Sequence, residues 1–315
     1  MSWPRQKIII GTRGSELALQ QTGWVRRRLQ ELYPQMEFDL AIIRTQGDRI
    51  TDVPLHAIGD KGLFIREIEQ ALLEKRIDLA VHSLKDLPSE LPPGLALLAV
   101  TEREDPRDVL VSHRYPSLDS LPLGARVGTS SLRRAAQLKR HRPDLEIVPL
   151  RGNLDTRLKK LQKMDLDGII LAAAGLRRMG WDGWITEPLD PAVCLPAVGQ
   201  GALALEGRDE DGLIRELSQS LNHWPTFLAT AGERAFLQTL GGGCQVPIAA
   251  LGTPLPADNG EFLLRLDGLV ASTDGSQLLR SSVTGPLTDG PALGRRLAEE
   301  LLVAGAREIL SEERR

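Results

Sequence analysis

At four places the chain passes from a strand-like apolar run through a tight turn to arginine at or near a helix start. These are Arg13 after Ile8–Ile10, Arg133 and Arg134 after Val127, Arg151 after Val148-Pro149-Leu150, and Arg177 and Arg178 after Ile169–Ala172. Arg157 lies further into the helix expected after Arg151. In open α/β sheets, ligands bind beyond the carboxyl ends of strands. Helix N-termini there attract anions, and each arginine adds charge-assisted bonds worth roughly 1.5–3 kcal/mol. The spacing therefore points to a ligand with several negative groups. The P-loop pattern and the dinucleotide-binding glycine fingerprint are both absent from the sequence, so a polycarboxylate fits at least as well as a phosphate.

Acid–base chemistry concentrates in Val81-His82-Ser83-Leu84-Lys85-Asp86-Leu87-Pro88. Asp86 reads either as a turn-forming residue before a proline-limited loop or as a carboxylate that moves protons and stabilises positive charge. His82 reads as a half-buried histidine satisfied within the fold. The run Gly59-Asp60-Lys61-Gly62-Leu63-Phe64 has the composition of a loop that closes over a site, with a cation and an aromatic near its tip. Gly241-Gly242-Gly243-Cys244 isolates one thiol on a glycine-rich loop. Consecutive glycines cost conformational entropy on folding, and here they leave space around the sulfur.

The elements that must position these residues alternate. Lys7–Ile10, Leu40–Arg44, Leu79–His82 and Leu95–Val100 read as strands. A helix carries Leu17, Ala18, Gln21, Trp24, Val25, Leu29 and Leu32 on one face until Pro34 stops it, and another spans Leu63–Lys75. After the polar stretch Thr101–Asp108, a second series places strands at Val109–Val111, Ala125–Gly128, Ile147–Leu150 and Gly168–Ala172, with helices from near Ser131, Asn153 and Gly175. Gly11-Thr12-Arg13-Gly14-Ser15 and Gly128-Thr129-Ser130-Ser131 open helices alike, which hints at two related α/β lobes. The last hundred residues form a smaller α+β unit. It has a helix over Pro225–Leu240, a strand beginning at Phe262–Leu266, a hairpin around Thr273–Ser276, and an amphipathic helix over Leu293–Leu302 that Gly305 is expected to cap.

Composition bounds the rest. The chain has 315 residues, 42% hydrophobic and 26% charged, ordinary values for a soluble globular protein. A net charge of −3 supplies no basic field for nucleic acid. Arginine outnumbers lysine 31 to 8, which suits planar, bidentate anion recognition. No stretch approaches the roughly 18 apolar residues of a membrane span, and the N-terminus lacks a secretory h-region. Cys194 and Cys244 make no disulfide framework and lack metal-ligand spacing. The expectation is a cytoplasmic protein without a metal, partnered by neither nucleic acid nor membrane.

An ordered set of motifs then carries a resemblance. It runs through Thr12-Arg13, Ser15 and Leu17-Ala18; Asp60-Lys61-Gly62-Leu63-Phe64; Val81-His82-Ser83-Leu84-Lys85-Asp86; and Glu102–Asp108. It continues through Gly128-Thr129-Ser130-Ser131-Leu132-Arg133-Arg134; Arg151-Gly152-Asn153; Leu195–Gly201; and Gly242–Pro247. The chain resembles the porphobilinogen deaminase (hydroxymethylbilane synthase) family over essentially its whole length.

That resemblance implies an α/β fold of two lobes like those of periplasmic binding proteins plus a smaller C-terminal α+β domain. Residues 1–101 with 202–219 would form the first domain, 107–195 the second and 224–315 the third. It implies a dipyrromethane cofactor joined by a thioether to Cys244. The expected reaction is stepwise polymerisation of four porphobilinogen units with loss of ammonia, then hydrolytic release of linear hydroxymethylbilane by a monomeric enzyme. Asp86 matches the family's catalytic aspartate. Arg13, Ser15, Ser83, Lys85, Thr129, Ser131, Arg133, Arg134, Arg151, Arg157 and Arg178 match positions that bind cofactor and substrate carboxylates. Lys61 and Phe64 match a mobile loop, and Gln200 a crossover segment. Ala57, Asp60 and Gln46 depart from the common pattern without touching those positions. Two other classes fit parts of the sequence: a non-catalytic two-lobed anion-binding protein, and a transferase using a cysteine nucleophile, which would need a basic partner for its thiol.

Overall fold

The computed structural model describes residues 6–45, 65–241, 246–257 and 262–313. Within them the chain packs as two units, one from residues up to 103 with 202–227, the other from 104–201 with 228 onward.

In the first unit, β1 (Lys7–Arg13) leads into α1 (Glu16–Leu32), followed by β2 (Glu37–Ile43), α2 (Arg66–Leu73), β3 (Leu79–Ser83) and β4 (Leu95–Val100). Ser15 starts α1 by accepting a hydrogen bond from the Ala18 N–H, a cap worth about 1 kcal/mol. The buried stripe of α1 is Gln21, Thr22, Val25 and Leu29. Trp24, expected in that stripe, is 40% exposed, because it sits about 100° of helix rotation away from Val25. Val25 and Leu29 pack with Ile8, Ile10, Leu79 and Val81.

The second unit repeats the scheme with β5 (Asp108–Val111), β6 (Arg126–Gly128), α3 (Leu132–His141), β7 (Glu146–Val148), α4 (Leu154–Lys163), β8 (Gly168–Ala172), α5 (Ala173–Arg178) and the short β9 (Glu187–Pro188). The chain then returns to the first unit as β10 (Leu203–Arg208) and α6 (Gly212–Gln219). The first sheet has the order β2-β1-β3-β10-β4, the second β7-β6-β8-β5-β9. In each, three strands run parallel and the fourth, the one next to the crossing of the chain, runs antiparallel to both neighbours.

Local detail repeats as well. Lys75 and Asp165 adopt positive φ, two residues before Ile77 and one before Leu166 respectively. Ile77 and Leu166 fill the space that a side chain on Gly11 or Gly128 would need. Asp78 and Asp167 each accept a hydrogen bond from a backbone N–H of the neighbouring strand, that of Ile9 or Arg126. The faint likeness between the two glycine turns thus belongs to a repeated β/α scheme.

The remaining elements are α7 (Trp224–Thr239), β11 (Ile248–Pro256), β12 (Phe262–Ala271), β13 (Leu278–Pro286), α8 (Gly290–Leu301) and α9 (Arg307–Glu312). The last three strands form an antiparallel meander, with Ala271 paired to Leu278 around the expected hairpin. Phe236, Leu264, Leu266, Val270 and Leu297 form its core. Gly305 interrupts the helix as expected, with a left-handed φ of 112° at the kink, and a separate short helix, α9, begins after it at Arg307. Ala136, Leu195, Ala249, Leu251, Leu269 and Ala271 share a further cluster within the second unit.

Candidate active site

The parallel strands bring their carboxyl ends to one edge of each sheet. In the first unit that edge carries Arg13 and Ser15 after β1 and Ser83 to Asp86 after β3. A pocket there is lined by Arg13, Ser15, Leu17, Ala18, Gln21, Ile65, Val81, His82, Ser83 and Asp86. Residues Leu84–Asp86 form a single 3₁₀ turn. Its orientation is fixed by Leu84 and Leu87, which are buried with Ile65, Val100, Ala202 and Ala204, and by the Leu84 N–H, which donates to the Ala202 carbonyl at 3.0 Å. Burying each leucine contributes roughly 1.5–3 kcal/mol, and the consequence is that Lys85 and Asp86 point outward. The Asp86 carboxylate is exposed and has no hydrogen-bond partner among the described residues. An Asx turn would have engaged it locally, so that reading of Asp86 falls away.

Gln21 and Ser83 bind each other across the pocket floor, with Gln21 Nε2 donating to Ser83 Oγ at 3.1 Å. His82, expected half-buried, is buried, and its Nε2 lies 2.9 Å from Glu206 Oε2. Gln21, Glu206 and Glu69 (in α2) are pocket neighbours that sequence reasoning passed over. A signal existed for two of them: Gln21 is a polar residue on a helix face otherwise apolar, and Glu206 interrupts the apolar run Ala202–Leu205.

In the second unit the corresponding edge carries the turns after β6, β7 and β8. Ser131 caps α3 by accepting from the Arg134 N–H at 3.4 Å, and Thr129 Oγ1 accepts from the Ser131 N–H at 3.2 Å. Arg151 follows β7 and has one buried guanidinium nitrogen, Nη1, with no hydrogen-bond partner. Arg157 donates through Nε to the Gly152 carbonyl at 2.8 Å. Gly152 has φ 115°, a backbone conformation glycine takes at no steric cost. Arg178 donates to the Gly201 carbonyl at 2.6 Å. Burial lowers its guanidinium to about 10 against the opposing pull of Glu104.

Arg133 and Arg134 are 6% and 5% exposed and converge on Asp108, which is fully enclosed. Arg133 Nη1 donates to Asp108 Oδ2 at 2.7 Å and to the Leu195 carbonyl at 2.6 Å. Arg134 donates to Asp108 Oδ1 through Nε at 3.0 Å and Nη2 at 2.7 Å, and to the Ile170 carbonyl at 2.9 Å. Gln200 Nε2 reaches the same Oδ1 at 2.9 Å, and the Pro106 carbonyl at 2.7 Å. Burial opposes ionisation of Asp108, but the two guanidiniums outweigh it and hold the carboxyl far below the usual range. An enclosed carboxylate attracts cations that would otherwise reach outward. Leucine-flanked arginines on a helix give no sequence sign of this, since Asp108 lies well upstream.

The two cysteines separate sharply. Cys194 is 0% exposed, its Sγ 3.3 Å from Asp108 Oδ2. Burial first, and then Asp108, push its thiol up to about 12, so it is chemically inert. Cys244 lies outside the described residues, as do Lys61 and Phe64. Its flanks are fixed: Leu240 and Val246 are both buried in the core of the meander, and Gly241 turns away from α7 with φ 63°. Among the described residues no group of acidic, histidine or cysteine side chains could hold a metal ion.

In the second unit the partnerless Arg151 Nη1 suits a carboxylate, and in the first the partnerless Asp86 carboxylate suits an N–H donor such as a pyrrole. Residues 8–216 match the family model described as porphobilinogen deaminase, dipyromethane cofactor binding domain, and 227–303 the model of the porphobilinogen deaminase C-terminal domain. The chain is 54% identical to a porphobilinogen deaminase of Pelotomaculum thermopropionicum, with 98% of each chain covered. It is 52% identical to one of Syntrophobacter fumaroxidans, with 97% of each covered. Among solved structures, a putative methionine-binding lipoprotein of Bacillus subtilis is similar with a TM-score of 0.43 and 11% identity, over 69% of this chain and 90% of that one.

Proposed function

Since the chain belongs to the porphobilinogen deaminase family, we infer that its transferase chemistry runs at the pocket of Asp86 and on a cofactor tethered to Cys244. The family's activity is polymerisation of porphobilinogen into hydroxymethylbilane for tetrapyrrole biosynthesis, and its cofactor is dipyrromethane.

The observation that carries the assignment is Asp86, an outward carboxylate with no partner of its own on a turn anchored by two buried leucines. When bound, the dipyrromethane supplies the ring carbon to which the first porphobilinogen is joined. Asp86 accepts pyrrole N–H groups and balances positive charge that develops on the ring as ammonia leaves. Arg13, Ser15, Ser83 and Lys85 orient carboxylates around it. In the second unit Arg151, Arg157 and Arg178, with Thr129 and Ser131, bind the acetate and propionate groups of the chain. Arg133 and Arg134 hold the β6–α3 turn in place through Asp108, and Gln200 ties the returning segment to the same carboxylate.

Cys244 is the attachment point because the other thiol, Cys194, is enclosed and held protonated. Its sulfur remains bonded throughout turnover, which distinguishes it from a cysteine nucleophile; an anion-binding protein would have no use for the tether. The enzyme acts as a cytoplasmic monomer on a small molecule, with no nucleic-acid or membrane partner. Low net charge and the lack of any described helix long and apolar enough to cross a membrane are consistent with that.

Intact-mass spectrometry tests the tether: Cys244→Ser loses the covalent adduct, whereas Cys194→Ser keeps it. Active enzyme with unmodified Cys244 overturns the assignment. Asp86→Asn keeps the adduct and loses on the order of 10²–10⁴-fold in turnover; near-parental turnover removes Asp86 from the chemistry.

A further inference from the structure

Behind the Asp86 pocket lies a buried acid–base cluster that the reading above leaves unused. His82 in β3 pairs across the sheet with Ala204, and Glu206 with Ala80. This diagonal register places imidazole and carboxylate on one face, where His82 Nε2 meets Glu206 Oε2 at 2.9 Å. Both side chains are almost wholly enclosed. α2 packs over that face and contributes Glu69, 8% exposed. Glu206 Oε1 and Glu69 Oε1 are buried without a hydrogen-bond partner. Burial first, and then the charge of Glu206, push the Glu69 carboxyl up, while His82 and Arg66 pull it down. Two buried orphan carboxylate oxygens beside a histidine are costly, and such clusters concentrate at functional sites.

His82 is also part of the pocket wall with Asp86, Ser83 and Gln21. With Nε2 engaged by Glu206, its Nδ1 makes no hydrogen bond to any described residue. Asp86 and Lys85 follow on the same turn; Glu206, Glu69 and Arg66 are the charged groups on the strand and helix packed against the ring.

Joining one porphobilinogen requires a proton acceptor. The aminomethyl group enters in its protonated, ammonium form; its C–N bond breaks and the electron pair leaves on ammonia. The new C–C bond takes a pair from the pyrrole ring of the growing chain. The ring's C–H pair then returns to the ring, and its proton must go to a base. If Asp86 took that proton it would lose its charge when the ring is most positive. We propose that Nδ1 of His82 is the base that accepts the ring proton, with Glu206 holding the imidazole in register and balancing its charge. The proton then passes to the departing ammonia, which leaves as ammonium, and His82 is neutral again for the next unit. This assignment rests on the Asp86 pocket being the site of chemistry.

The test uses full-length enzyme carrying its adduct. His82→Gln keeps a hydrogen-bonding side chain but cannot accept a proton. It is expected to retain the adduct by mass and to lose on the order of 100-fold in kcat with little change in KM, along with the acid-side fall of the kcat–pH profile. Glu206→Gln is the second variant, and guards against a His82→Gln that does not fold. In Glu206→Gln the imidazole loses the carboxylate that holds it, so kcat should fall with little change in KM. A folded His82→Gln with kcat within threefold of the parent overturns the proposal, as does a folded Glu206→Gln with parental kcat. Near-parental turnover in Asp86→Asn defeats the pocket assignment itself; loss there with a normal His82→Gln defeats this inference alone.

Discussion

Replacing Asp108 by asparagine asks whether Arg133 and Arg134 are scaffold or ligand. Asp108 Oδ1 accepts from Arg134 Nε and Nη2 and from Gln200 Nε2, and Oδ2 accepts from Arg133 Nη1 and the Cys194 thiol. An amide keeps one acceptor oxygen for the first group. In place of the second oxygen it sets an NH₂ against Arg133 Nη1, where the carboxylate lies at 2.7 Å. Two enclosed guanidiniums then have no counter-charge. Breaking a buried ion pair from one side costs about 3–5 kcal/mol, which for a unit of this size lowers the melting temperature by about 6–20 °C. The assay is scanning calorimetry of parent and variant from pH 8 to pH 5. The folded-state pKa of Asp108 is depressed, so its stabilisation is complete above the unfolded carboxyl pKa of about 3.9 and is lost only as pH falls through the much lower folded value. The difference between parent and variant should therefore stay constant over that range. A drop of less than about 2 °C, or a difference that shrinks towards pH 5, refutes an ionised, structural Asp108. A raised KM at unchanged melting temperature would return both arginines to the ligand set.

Other outcomes follow from single contacts. Arg151→Ala removes the buried, partnerless guanidinium nitrogen; at roughly 1.5–3 kcal/mol for a charged hydrogen bond, KM for porphobilinogen should rise about 10–100-fold in steady-state assays, and an unchanged KM excludes Arg151 from carboxylate binding. Gly294→Ala would drive a methyl carbon into the Gly232 carbonyl oxygen between α7 and α8. That overpacking costs about 1–3 kcal/mol, read as a lower urea midpoint; an unshifted midpoint contradicts the close helix contact.

Local signals made much of the fold legible. The strand at Leu95–Val100 and the strand at Gly168–Ala172 appear with the bounds that their apolar runs define, and Ser15 and Ser131 cap the helices that their turns announce. What failed were features set by distant parts of the chain. β10 and α6 went unread because β10 completes the first sheet only after the chain has built the second, and no local period records that.

The site divides the same way. Sequence alone singled out the residues proposed to carry chemistry, namely Asp86, the arginine turns, a lone loop cysteine and their order, because motif identity is a property of neighbouring residues. Only the tertiary structure decided which of them are available. It turned Asp86 outward on a leucine-anchored turn and enclosed Cys194. It drew Arg133 and Arg134 onto Asp108, and it set Glu206 and Glu69 behind His82. Charge needs either water or a partner, and the partner of a buried group is chosen by strand register and helix packing across a hundred residues, not by the residues beside it.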